Sequence, residues 1–83
     1  MGEVYVKVRP ECEEFSVELG DFPLFFLESE ASRGRANSEL VRRVEEITGE
    51  RPAIISGHRS RRKKLKLDMD KQEFEKRLKN YDG

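Results

Sequence analysis

The sequence predicts an α+β domain: a strand-rich first third, a helix, two more strands and a closing helix, with both helices on one face of the sheet. Three observations carry this. Val4, Val6 and Val8 alternate with Tyr5, Lys7 and Arg9, the period-two pattern of a half-buried strand. Leu40, Val41, Val44 and Ile47 share one helical face. Asp70 stands three residues before Glu73, the capping-box spacing, and Phe74, Leu78 and Tyr81 then make an apolar stripe.

Each element follows in order. Pro10 ends the first strand, because proline cannot donate to a sheet ladder. Phe15, Val17 and Leu19 alternate with Ser16 and Glu18, a short strand or extended segment, and Gly20-Asp21 signals a turn. The continuous apolar run within Leu24 to Glu28 suggests a strand buried on both faces or central in the sheet. Ser29 to Arg35 reads as a loop. The first helix is expected over 38–48, with Asn37 or Ser38 as its N-cap, Gly49 as its stop and Pro52 beyond. Ala53-Ile54-Ile55 reads as a short buried strand, and Gly57 to Ser60 as a turn. From Arg62 to Leu67 alternation resumes: Lys63, Leu65 and Leu67 face one way, Arg62, Lys64 and Lys66 the other. Met69 is placed to staple onto Phe74 at the start of the last helix.

With 83 residues, the chain is one domain spanning 1–83. The longest apolar run, Phe22 to Leu27, is broken by Pro23 and falls short of the roughly 18 residues of a membrane span. The start, Met1-Gly2-Glu3, has neither a basic n-region nor an apolar h-region. A lone cysteine, Cys12, has no internal partner and fits a reducing compartment. The expectation is a cytoplasmic protein without a membrane partner. Charged residues are 41% against about 25% in an average domain, while Asn, Gln, Cys and Met are scarce; that balance suits the ion-pair usage of thermophiles.

The net charge of zero conceals an uneven distribution. Residues 1–30 carry two bases against eight acids, a net of −6. Residues 31–66 carry eleven bases against four acids, a net of +7. His58 to Lys66 alone holds six positive charges in nine residues. A partner meets local potential, so this block matters more than the total.

Two segments carry a resemblance. Gly34-Arg35-Ala36-Asn37-Ser38-Glu39-Leu40-Val41 is similar to the G-(K/Q)-A-N-x-x-L-(I/V) segment of the YggU-like family, and Gly57-His58-Arg59-Ser60-Arg61-Arg62-Lys63-Lys64-Leu65-Lys66-Leu67 resembles its G-x-x-S-R-x-K segment. The resemblance covers about residues 4–80. It implies a two-layer fold of order β-β-loop-α-β-β-α, with two helices packed on one face of a small four-stranded antiparallel or mixed sheet. It also implies a surface of Gly34, Arg35, Ala36, Asn37, Gly57, Ser60, Arg61 and Lys63. The family has no established activity, so no reaction is implied. Two departures stand out: Glu30-Ala31 where the family often has Pro-Pro, and Arg33 where it often has an acid.

The residues themselves point to anion binding. Arg33, Gly34, Arg35 and Asn37 mark either a helix start whose N-terminus favours anions, although no P-loop pattern is present, or a solvated loop with an ordinary Asn or Ser cap. Arg59 to Lys66 is a basic hairpin of the kind that meets phosphate backbones, or an edge strand protected by lysines. Tyr5, opposite the valine stripe, is the one ring expected to be exposed. Enzyme chemistry finds little support: His58 and Cys12 are the only residues of their types and are too few for a zinc site. Glu11, Glu13 and Glu14 read as a solvated acidic loop. No catalytic residue, metal or cofactor is therefore expected. The expectation is a non-catalytic domain that binds RNA or another phosphate-bearing ligand through Arg33, Gly34, Arg35, Asn37, Gly57, His58, Arg59, Ser60, Arg61 and Lys63. The alternative is a protein-interaction or assembly module pairing its acidic first third with a basic surface.

Overall fold

The structure is a computed structural model and describes residues 2–81. Its elements run β1 (Gly2–Arg9), β2 (Ser16–Glu18), β3 (Leu24–Phe26), a 3-10 turn (Ser32–Gly34), α1 (Arg35–Thr48), β4 (Ala53–Ser56), β5 (Arg62–Leu67) and α2 (Lys71–Lys79). The strands form one sheet in the order β2-β3-β1-β5-β4. β1 pairs parallel with β3 and antiparallel with β5, so the sheet is mixed.

The alternation in β1 explains its central place. Val4, Val6 and Val8 are buried while Tyr5, Lys7 and Arg9 are exposed. On the buried side they meet Phe25, Leu65 and Leu67 from the sheet, Leu40 and Val44 from α1, and Phe74 and Leu78 from α2. Both helices thus cover one face, as the apolar stripes require. Phe74 is fully buried, and truncating such a ring costs about 3–5 kcal/mol. Asp70 caps α2 by accepting the backbone N–H of Glu73 at 2.9 Å. Arg77 of α2 donates to the carbonyl of Thr48 at the end of α1, joining the two helices.

Four expectations need correction. The sheet has five strands, not four, because Ser16–Glu18 pairs in its own right with Leu24–Phe26. β3 is second from the edge, with Phe25 buried and Leu24 and Phe26 only half-buried on the open face. The segment Ala53–Ser56 is an edge strand, and of its residues only Ile54 is half-buried. The first helix starts at Arg35, one turn earlier than expected, and Gly34 in the left-handed region is its N-cap, with no side-chain cap. Backbone carbonyls do that work: Ser32 accepts from the N–H of Arg35, and Glu30 from that of Ala36 at 3.0 Å.

Candidate functional site

The loop before α1 is built on backbone geometry few residues tolerate. Arg33 and Gly34 are consecutive left-handed residues, with φ of 57° and 69°. For glycine this is free; for arginine it costs about 1–2 kcal/mol. The pair turns the chain from the sheet into α1 and leaves the Arg33 side chain exposed.

A buried glutamate anchors the start of that loop. Glu39, on the inward side of α1, is 3% exposed. Its carboxylate accepts the backbone N–H of Ser29 at 2.8 Å and of Glu28 at 3.3 Å, and the Nε of Arg43 at 3.1 Å. Burial raises the Glu39 carboxyl, but the N–H groups of Ser29 and Glu28 and the Arg43 guanidinium outweigh it, so it lies below the ordinary carboxylate value. Arg43 also bridges to Glu28 at 2.9 Å and lies over the Phe15 ring at 4.3 Å.

The hairpin between β4 and β5 is anchored by a lysine. Lys63 is 3% exposed, on the same side of β5 as Leu65 and Leu67. Its Nζ donates to the carbonyls of Ser60 at 2.7 Å, Gly57 at 2.8 Å and His58 at 3.3 Å. All three N–H bonds of the ammonium have acceptors, so a positive charge sits inside the turn. Burial nonetheless pushes it below the ordinary lysine value. Gly57 is required for two reasons: its φ is 80°, and a Cβ there would overlap the Arg62 carbonyl. Ser60 Oγ accepts the N–H of Arg62 at 3.0 Å. With its backbone held from within, the turn leaves His58, Arg59 and Arg61 exposed.

The loop and hairpin meet. Nδ2 of Asn37 donates to the carbonyl of His58 at 3.0 Å. Between them lies a cleft of about 750 Å³, walled by Arg33, Gly34 and Asn37 on one side and His58, Arg59, Ser60 and Arg61 on the other, with Lys63 at its base. Eight of the ten expected residues therefore line one site. Arg35 does not line it: it pairs with Glu30 at 3.2 Å and faces a neighbouring shallow depression with Arg42 and Arg51. Gly57 contributes its carbonyl to Lys63 rather than a wall. Lys63 was expected among the ligand-binding residues; burial makes it an internal support instead. The helix N-terminus offers less than expected, because carbonyls of the preceding turn already occupy the N–H groups of Arg35 and Ala36. The charged groups that the cleft presents to solvent are thus the side chains of Arg33, Arg59 and Arg61, with His58 beside them.

The sequence reading missed Glu39 and the partnership of Asn37. Both signals are weak in one dimension. Glu39 sits three residues after Ala36 on the buried stripe, and Asn37 looks like an ordinary cap. The open sheet face was only partly read. There Tyr5 meets Phe22 edge-on at 6.1 Å, with Lys7 and Arg62 close to the Phe22 ring and Lys64 over Tyr5. Lys64 also bridges to Glu3 at 2.8 Å; their hydrogen bond raises the lysine and lowers the glutamate.

Among the described residues, no helix is long and apolar enough to cross a membrane, and no group of three or more His, Cys, Asp or Glu residues is placed to hold a metal ion. No family model and no curated protein matches the chain.

Proposed function

We propose that this chain is a YggU-like domain that binds RNA without catalysing a reaction, holding phosphates in the cleft between the Arg33–Asn37 loop and the His58–Arg61 turn. The observation that carries the reading is the convergence of those segments across the Asn37–His58 hydrogen bond. Arg33, Arg59 and Arg61 are exposed at the mouth of the cleft, whereas the one lysine beneath them is buried. Exposed guanidiniums suit phosphate, because their planar forks donate two parallel hydrogen bonds. The bond between Asn37 and His58 holds the two walls at a fixed separation, so the side chains are presented together. Both segments that carry the resemblance to the YggU-like family contribute residues to the cleft: Gly34, Ala36 and Asn37 from the first, His58 to Arg61 and Lys63 from the second.

The test is fluorescence anisotropy with a labelled single-stranded RNA of mixed sequence. A joint Arg33→Ala, Arg59→Ala, Arg61→Ala variant removes three exposed charges and touches no buried group. It should melt like the parent and lose most of the affinity. Unchanged affinity in that variant refutes the cleft as the site. No binding by the parent moves the protein to the interaction-module reading.

A further inference from the structure

Among the described residues no layer covers the sheet face away from the helices, and on it Tyr5 and Phe22 stand among cations. Tyr5 is 47% exposed at the centre of β1. Its register partner on β5 is Lys64, and the next pair on the same face is Lys7 with Arg62. Phe22 leans against Tyr5 from the loop before β3, with ring centroids 6.1 Å apart. The Nζ of Lys7 and the guanidinium of Arg62 lie 5.6 and 5.4 Å from the Phe22 centroid, and the Nζ of Lys64 lies 5.4 Å from that of Tyr5.

We infer that this face is a stacking platform for unpaired bases, so that the nucleic acid bound is single-stranded and contacts both the cleft and the open sheet face. The inference rests on the cleft reading and deepens it. Bases stack on aromatic rings irrespective of sequence, and flanking cations take the phosphates between them. At an exposed site a cation–π contact is weak, about 0.5–1 kcal/mol, so Lys7 and Arg62 can exchange ring for phosphate, while Lys64 is also paired with Glu3. A duplex hides the faces of its bases and gains nothing from the rings.

The two surfaces are adjacent. The Arg61 carbonyl accepts the N–H of Val8 at 2.7 Å, while the next residue, Arg62, pairs with Lys7 on the open face. Arg61 lines the cleft, and Arg62 stands beside the rings. One strand can therefore pass from cleft to platform around this end of β5. A second copy of this chain is a poor occupant, since Lys7, Arg9, Arg62, Lys64 and Lys66 outnumber Glu3 and Glu18 on this face and two such faces would repel.

The experiment compares a labelled single-stranded RNA with its perfect duplex and with inorganic polyphosphate. The variant Tyr5→Leu, Phe22→Leu keeps every charge. It should bind single strand about tenfold or more weakly, yet bind polyphosphate as the parent does. The chain contains no tryptophan and two tyrosines, so in a Tyr81→Phe background all tyrosine emission comes from Tyr5. Saturating single strand should quench it, which tests stacking even if the double variant folds poorly. Equal affinity of parent and variant for single strand, preference for duplex, or unquenched Tyr5 at saturation overturns the inference and leaves the cleft reading standing. Tighter binding to polyglutamate than to RNA also overturns it, in favour of an acidic protein partner. If the parent binds neither RNA nor polyphosphate, both fall.

Discussion

The side chain of Asn37 is hydrogen-bonded to the backbone of His58, twenty-one residues away, at 3.0 Å. This contact joins the start of α1 to the basic turn and makes one cleft from two segments. It is also exposed, so its direct worth to stability is small.

Asn37→Ala should therefore destabilise the fold by about 0.5–1.5 kcal/mol. It should weaken RNA binding by a larger factor than that loss of stability explains. The charge is unchanged, so the salt dependence should stay parallel to the parent's. Thermal melting and anisotropy at two salt concentrations check this. Equal affinity in both proteins would mean that the walls need no tether.

Lys63→Met keeps the apolar stem and deletes the ammonium. Three carbonyls then lose their shared donor, at a cost of about 1–3 kcal/mol. Amide exchange in residues 57–61 should accelerate more than in β1. A variant as stable as the parent would show that water replaces the ammonium without penalty.

Glu39 sets an acid limit. Its folded carboxyl lies below the ordinary carboxylate value, so its stabilisation is complete above that ordinary value and is lost as pH falls through the folded one. Stability should decline below about pH 4.5, and in Glu39→Gln that part of the decline should vanish while neutral-pH stability drops. Denaturant melts from pH 7 to pH 3 measure both. Parallel pH curves for the two proteins would remove Glu39 from the account.

Arg33 sits in a conformation that suits glycine. Arg33→Gly relieves that strain but frees the unfolded chain, so stability should rise by no more than about 1 kcal/mol. RNA affinity should fall in the same variant. A residue kept for binding at the expense of the backbone predicts that pair of opposite changes; a drop in stability would deny the strain.

Much of the fold was legible because burial writes its period into the chain. Val4, Val6 and Val8 marked β1, and Asp70 with Phe74 and Leu78 marked α2. Partners were not legible. Alternation says which residues face inward, not that Arg9 lies beside Phe26 in a parallel pair. Nor does it say that Ser16–Glu18 pairs with Leu24–Phe26. For Lys63, alternation indicated the inward face, but six charges in nine residues suggested a surface. Three carbonyls converge on its ammonium only once the turn is folded. Asn37 shows the same limit: a cap would be a local bond, and the one it makes crosses the fold.

The central claim is that exposed arginines in one cleft hold the phosphates of RNA. Its most direct test is affinity for single-stranded RNA against salt, in the parent and in the joint Arg33→Ala, Arg59→Ala, Arg61→Ala variant. Each phosphate contact on a single strand contributes about −0.7 to the log–log slope, so the variant should be flatter by about 2. Binding by the parent that falls steeply from about 50 mM salt, with that flattening, is the predicted result. No binding at that salt, or equal slopes in the two proteins, would contradict it.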